Sequence, residues 1–390
     1  MNKPSNNPIC DIIIPVWNGL EHTQKCIERI IVNTDVNFRL IIVDNGSDIE
    51  TNNYLKSLAQ KKEVNNYTLI RNEKNLGFVR ATNQGILTSS SSYVCLLNND
   101  AYVTKDWLNR LIELAEQDSK FGIINPNWIS EEPVDLDSQL KNLDRYRRQF
   151  LEVNDCMGFC MLIKREVIKK IGLLDEIFWL GGLEDSDYCK RAVFTGFRCL
   201  RAKDTLVIHR ENTTFNKIED WKQKRKINEE IFYKRWGRKR QIVFILDEVE
   251  FTSEISVIEK LRFLLSLARL GLRVHIWVIL SPKSAILDKE FLIVNRINEH
   301  NNIKYFYFYY PSFKTPRLFY RGLFIGICFL KLLSRRKKRD ENRFKAVFLN
   351  GRWLNLLKVL KIFHQVDIFK QPQECCLIQK EIEWIKINGN

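Results

Sequence analysis

A chain of 390 residues with 45% apolar content can build two or three domains with their own cores, which excludes a disordered or fibrous protein. Its formal charge of +15 fits solvated surfaces or an anionic partner, and with no helix-turn-helix, zinc-finger or aromatic RNA-binding pattern present, nucleic acid is not expected. Ten cysteines without CxxC pairs, and with no His at zinc-ligand spacing, read as a reduced, cytoplasmic thiol set.

Met1–Pro8 lacks the apolar core of a signal peptide, and no run reaches the roughly 20 apolar residues of a spanning helix. The longest candidate, Leu323–Leu330, stops at Lys331. Cys156 and Cys160 lie in an apolar segment, and the neighbours Cys375 and Cys376 are poorly placed to bridge each other. Lys217–Arg240 and Lys331–Lys345 are rich in Lys and Arg. They read as solvated helix faces or as a peripheral contact with an anionic membrane, at the inner face of the cytoplasmic membrane.

Strand and helix signals alternate from the N-terminus. Asp11–Val16 reads as a strand, Leu20–Val32 as a helix, Arg39–Asp44 as a strand closed by the turn Asn45-Gly46-Ser47, and Tyr67–Arg71 as a third strand. A helix Phe78–Leu87, a strand Tyr93–Asn98, a helix Trp107–Glu116 and a strand Gly122–Asn125 follow. This order predicts an α/β fold with a mainly parallel sheet and right-handed crossovers. Farther on, Gly158–Ile163 is an apolar strand, Arg165–Ile171 a short helix, and Thr205–Ile208 a strand ending at His209.

The binding edge of such a sheet gathers Pro15, Asp44 and Asp100, at three strand ends. Asp100 closes the apolar run through Leu97 after Asn98 and Asn99, as a turn cap or as a ligand for a hard divalent cation. Asp44 can accept from the imide N–H of uracil or thymine. Small residues at Gly77 and Ala81 let a backbone approach a helix whose N-terminus favours phosphate, or else they are a turn and core packing. Glu184 and Asp185 follow Trp179-Leu180-Gly181-Gly182-Leu183 at a helix start, as dipole-stabilising acids or as a general base in a Gly-built cleft. His209 is a structural strand-end His or a metal ligand beside Asp100.

Six segments together carry a resemblance: Ile14-Pro15-Val16-Trp17-Asn18, Val43-Asp44-Asn45-Gly46-Ser47, Asn75-Leu76-Gly77, Leu97-Asn98-Asn99-Asp100, Gly181-Gly182-Leu183-Glu184-Asp185 and His209. In order and spacing, over roughly residues 9 to 215, they resemble the inverting family 2 glycosyltransferases, in particular the rhamnosyltransferase-like enzymes of bacterial surface polysaccharide assembly. The resemblance implies a GT-A fold, a Rossmann-like nucleotide-sugar domain over residues 1–236, with a donor site in 9–125 and a catalytic, acceptor-facing part in 150–215. It implies that Asp44 contacts the base, framed by Pro15, Val16 and Asn18, that Asn98 lies by the ribose, and that Asn75, Gly77 and Asn99 belong to the donor site. Asp100 matches the last acid of the family's DXD motif and His209 its later ligand, for Mg²⁺ or Mn²⁺. Asp185 matches the catalytic base, with Glu184 beside it and Trp179, Gly181 and Gly182 on the acceptor side. One departure is that Asn98 stands at the first acidic position of that motif, leaving one charge fewer for the metal. The implied reaction moves a sugar from a UDP- or dTDP-linked donor to a hydroxyl of a surface glycan or lipid-linked acceptor.

After a basic helix Lys217–Trp236 the pattern restarts with strand Gln241–Asp247, helix Ile255–Leu270 capped by Gly271, and strands Arg273–Leu280 and Lys304–Tyr309. A helix Pro316–Ser334, a strand Ala346–Leu349 and a helix to Phe363 complete a second, smaller Rossmann-like α/β domain over 237–390. Its layout resembles the N-terminal half of a GT-B family 4 glycosyltransferase. With no room for a second Rossmann half, it is expected not to transfer sugar alone. Two rivals stand beside the main reading. One is a catalytically inactive nucleotide-sugar-binding or scaffold protein of a glycan assembly complex. The other, a nucleotidyltransferase, would carry a Gly-rich basic loop where Val16-Trp17-Asn18-Gly19-Leu20 stands.

Overall fold

The computed structural model describes residues 8–60, 66–210, 221–238, 241–247, 254–280, 289–295, 297–309, 344–349 and 367–370. The apolar run 323–330, the helices expected over 316–334 and up to 363, most of the basic run 331–345, and Cys375-Cys376 lie outside them. The chain divides into two compact units, residues 1–232 and 233–390.

In the first unit, β1 (Cys10–Val16), β2 (Phe38–Asn45), β3 (Tyr67–Asn72) and β4 (Tyr93–Leu97) pair in parallel in the order β3-β2-β1-β4. Continuous apolar runs suit β1 and β4, whose central residues Ile12, Ile13, Ile14, Val94 and Cys95 are all buried, because strands covered on both faces have no polar side. Helices α1 (Leu20–Asn33), α2 (Ile49–Ser57) and α3 (Phe78–Thr88) connect them. Helix α1 turns Cys26, Ile27 and Ile30 into the same core as Ile12 and Leu40. Register places Val16 opposite Asp44 and Ile13 opposite Leu96, so the carboxyl ends of β1, β2 and β4 share one edge.

Beyond β4 the sheet departs from the expected parallel order. The remaining elements are β5 (Ala101–Val103), α4 (Trp107–Ala115), β6 (Phe121–Ile129), α5 (Leu136–Asp144), β7 (Phe150–Val153), β8 (Cys160–Lys164), α6 (Arg165–Ile171), α7 (Glu184–Phe194), β9 (Arg198–His209) and α8 (Trp221–Trp236). Strand order continues β4-β8-β6-β9-β5, with β7 also on β9. β8 runs antiparallel to both β4 and β6, and β5 and β7 run antiparallel to β9, so the sheet is mixed. Two features of the connections explain the correction. Only Asn98, Asn99 and Asp100 separate β4 from β5, far too few for a crossover helix. Helix α5 fully buries none of its residues and leans on the core through the partly buried Leu136, a thin contact for a crossover helix.

In the second unit, β10 (Gln241–Asp247), β11 (Arg273–Leu280), β12 (Ile303–Tyr309), β13 (Phe344–Leu349) and β14 (Asp367–Lys370) form an all-parallel sheet in the order β12-β11-β10-β13-β14. Helix α9 (Glu254–Arg269) packs Val257, Leu261 and Leu264 with Ile242, Phe244 and Ile276. It ends at Gly271, whose φ of +103° lets Leu272 N–H reach back to Leu267 O at 3.2 Å. A short helix α10 (Lys289–Val294) completes the described elements. Among the described residues no helix is long and apolar enough to cross a membrane.

Candidate active site

The edge formed by β1, β2 and β4 is organised by hydrogen-bonded turns. Asp44 is fully buried: Oδ1 accepts from Ser47 N–H at 3.0 Å, and Oδ2 accepts from Asn52 at 2.7 Å and from the Arg71 guanidinium. Burial alone would raise its pKa, but these donors hold it below the ordinary carboxylate value. The cation that Asp44 positions is Arg71, which also donates to Ser47 O at 3.0 Å and leaves 38% of its side chain exposed. Sequence reasoning passed over Arg71, whose signal was only its place at the end of β3.

Asn18, in the left-handed region at φ +58°, donates its N–H to Ser47 Oγ and accepts from Asp48 N–H through Oδ1, tying the end of β1 to the end of β2. Pro15 and Val16 run into this turn from β1, with Val16 buried. Asn99 donates to Thr23 Oγ1 at 3.0 Å and to Asn18 O at 3.4 Å. Asn75 Oδ1 accepts from Asn45 at 2.8 Å and from Gly77 N–H at 2.8 Å, shaping the turn before α3. A backbone does approach Gly77 closely, and it belongs to Trp179. A Cβ on Gly77 would stand 2.8 Å from Trp179 O and from its ring, on a φ of +90°. Trp179 O caps Val79 N–H at 3.2 Å, and its Nε1 donates to Leu76 O at 3.1 Å. Trp179 thus lies on the turn of the expected donor side while its half-exposed ring stays accessible.

Asp100 and His209 meet through the antiparallel pairing of β5 with β9, which sets Ala101 opposite His209 and joins Arg210 N–H to Asp100 O. His209 Nε2 stands 3.4 Å from Asp100 Oδ1, both side chains at most 10% exposed. Cis ligands at about 2.1 Å from an octahedral ion lie about 3 Å apart, so the pair needs little movement to share a cation. Asn98 Oδ1 is buried with no hydrogen-bond partner, as a group kept for a ligand would be. The Asp100–His209 pair fits a divalent cation held by oxygen and imidazole.

At the start of α7, Asp185 Oδ2 accepts from Gly158 N–H at 3.0 Å and Oδ1 from Ser186 N–H at 2.6 Å. Burial raises the Asp185 carboxyl and these N–H groups partly reverse it, leaving it above the ordinary value. Glu184 is more deeply placed: burial, then the neighbouring Asp185 charge, pushes it to about 8, and Oε2 has no hydrogen-bond partner. The loop before them is strained. Gly181 and Gly182 take φ of +102° and +90°, and Leu183, with no such freedom, takes +79°. Asn228 of α8 holds the loop by donating to the carbonyls of Phe178, Gly181 and Gly182 at 3.0–3.2 Å.

One turn joins the two carboxylate centres. Gly158 holds Asp185, and the next residue, Phe159, accepts Asn98 N–H at 2.8 Å and stacks its ring on His209 with centroids 4.5 Å apart. Asn125 steadies that turn through Met157 O at 2.9 Å. Gly158 and Phe159 gave no signal in the sequence because they act through backbone groups and a ring face, and Asn125 because its amide serves a turn distant in the chain.

Residues 11–172 match the family model for glycosyl transferase family 2. Glycosyltransferase AglE of Haloferax volcanii is 24% identical over 216 residues, covering 53% of this chain and 68% of its own length. An uncharacterized glycosyltransferase of Rickettsia typhi is 26% identical over 188 residues, covering 45% of this chain and 56% of its own. Among solved structures, a mannosyltransferase from Pyrobaculum calidifontis in complex with GDP-Man and Mn²⁺ aligns at a TM-score of 0.44 and 17% identity, covering 57% of this chain and 62% of that one. Residues 11–172 of this chain therefore carry a glycosyl transferase family 2 domain, shared with relatives that are themselves glycosyltransferases.

Proposed function

We propose that the enzyme is an inverting glycosyltransferase. It would transfer a sugar from a UDP- or dTDP-linked donor to a hydroxyl of a bacterial surface glycan or lipid-linked acceptor. The observation that carries this reading is the Gly158–Phe159 turn, which ties the Asp185 carboxylate to the Asn98, Asp100 and His209 cluster. A displacement at a sugar carbon needs a base on the acceptor side and charge control on the leaving side, held in fixed relation.

In this mechanism Asp185 takes the proton from the acceptor hydroxyl as that oxygen attacks the anomeric carbon. Gly158 and Ser186 N–H groups keep the carboxylate oriented and offset part of the cost of ionising it where it is buried. Glu184, raised to about 8, stays protonated at neutral pH and adds no second negative charge beside the base. Arg71, fixed by Asp44, stands ready at the donor edge for an anionic group. Asp100, His209 and Asn98 would hold Mg²⁺ or Mn²⁺, which when bound offsets the charge of the departing nucleoside diphosphate. A single displacement inverts the anomeric configuration and needs no covalent intermediate.

The parallel order β12-β11-β10-β13-β14 supports reading the second unit as a Rossmann-like domain akin to the first half of a GT-B enzyme, non-catalytic by itself. The basic residues Lys222, Lys224, Arg225 and Lys226 at the start of α8 support a peripheral contact with an anionic membrane at its cytoplasmic face.

The test is Asp185→Asn, assayed with UDP-, dTDP- and GDP-sugars for transfer and for slow donor hydrolysis. Transfer should fall by about 10²- to 10⁴-fold while nucleotide affinity holds. Turnover above a tenth of wild type would remove Asp185 from the role.

A further inference from the structure

Behind the catalytic helix, three thiols from distant parts of the chain converge. Cys156 lies on the turn after β7, Cys189 on α7 and Cys199 on β9, and their sulfur atoms all lie within 4.8 Å of one another. All three are essentially inaccessible to solvent. Among the described residues no other three His, Cys, Asp or Glu side chains converge in this way. Cys199 is fixed between β6 and β7 by pairing with Ile123 and Val153, while Cys156 N–H donates to Cys189 Sγ at 3.2 Å.

We propose that Cys156, Cys189 and Cys199 form a binding site for a soft, thiophilic cation such as zinc, separate from the hard-ion cluster at Asp100. Thiolates around a zinc ion at about 2.3 Å lie about 4 Å apart, so the three sulfurs need only side-chain adjustment to close on one ion. A donor set of three sulfurs and no oxygen disfavours Mg²⁺ and Mn²⁺ and favours a soft ion; Zn²⁺ would take a fourth ligand that the cluster does not supply, whereas Cd²⁺ accepts three thiolates. Before binding the sulfurs sit as thiols that donate to backbone carbonyls, Cys156 Sγ to Leu200 O at 3.5 Å and Cys199 Sγ to Cys189 O at 3.9 Å. Binding one M²⁺ to three R–SH groups therefore gives an M(SR)₃ centre of charge −1 and releases three protons. The Cys156 N–H already aimed at Cys189 Sγ offsets part of that charge.

Such an ion would be structural, and it would sit where it stiffens the base. Cys156 is two residues before Gly158, whose N–H holds Asp185, and Cys189 is one helical turn after Asp185 on α7. The ion would join the turn, the helix and the sheet that together position that carboxylate. It would take no part in the reaction.

The full chain, purified in a phosphine reductant and stripped with chelator, is equilibrated with Zn²⁺ or Cd²⁺, desalted and analysed for bound metal. Wild type should keep one equivalent, show the ultraviolet thiolate-to-Cd²⁺ charge-transfer absorption, and unfold at a higher temperature with Cd²⁺ than after chelation. Cys199→Ser and Cys156→Ala should each retain less than about a tenth of an equivalent and lose both signals. Cys95→Ser, a buried thiol outside the cluster, should behave as wild type, and excess Mg²⁺ should displace nothing. The wild-type measurement stands alone if a variant fails to fold: no retained metal and no absorption would overturn the site. Full retention in Cys199→Ser, or equal loss in Cys95→Ser, would overturn it as well.

Discussion

Glu184→Gln should make the protein less sensitive to alkali, with a magnitude that follows from its surroundings. Glu184 is 5% exposed, and burial followed by the Asp185 charge raises its carboxyl from 4.5 to about 8. A group protonated in the folded chain and ionised in the unfolded chain makes folding take up a proton. Its stabilising effect is complete below pH 4.5, declines as pH rises, and is lost once pH passes about 8. The slope is about 1.4 kcal/mol per pH unit, about 5 kcal/mol over the whole interval if Glu184 titrated alone. Gln fills the same space without a proton to lose. The stability of the variant relative to wild type should therefore grow by about 2–3 kcal/mol from about pH 5.5 to about pH 7.5. Urea unfolding of both proteins across that range, followed by tryptophan fluorescence, measures the difference. A difference independent of pH, or one that shrinks as pH rises, would refute the neutral Glu184 and with it the single-charge base.

Asp100→Ala should weaken nucleoside diphosphate binding in Mn²⁺ but not in EDTA; calorimetry showing the same loss in both would leave Asp100 as a turn residue only. Gly77→Ala puts a Cβ 2.8 Å from Trp179 O on a φ of +90°, and should cost about 2–4 kcal/mol through backbone strain and two displaced hydrogen bonds. A thermal melt unchanged from wild type would show that the Trp179 loop does not hold that turn. Asn228→Ala removes the donor to three loop carbonyls and should destabilise by about 1–3 kcal/mol, with faster amide exchange confined to the loop 179–183. Exchange equal to wild type across the loop would assign its conformation to the glycines instead.

What could be read from the sequence follows from how each residue acts. β1 and β4 announce themselves because strands buried on both faces are apolar along most of their length, and the polar residues that follow them stand out. Helix α2 was missed because its buried face is Thr51, Asn52 and Leu55, which breaks the apolar period; its marker was Asp48, which caps Thr51 N–H at 2.8 Å. β5 and β7, three and four residues long, carry no period at all, and the reversed direction of β8 is set by its neighbours on either side. The same division runs through the site. Asp100, Asp185 and His209 were visible because charge at an element's end is unusual and has chemical meaning. Gly158 and Phe159 were not, because what they contribute is an N–H, a carbonyl and a ring face, which many residues could supply. The thiol cluster is the extreme case. Cys156 and Cys189 are 33 residues apart, and Cys189 and Cys199 ten, so nothing in their spacing suggests a common site. Their meeting depends on β7 and β9 pairing and on α7 packing beneath them. Those same contacts bring Gly158 to Asp185, so the fold that orients this carboxylate also gathers the three thiols behind it.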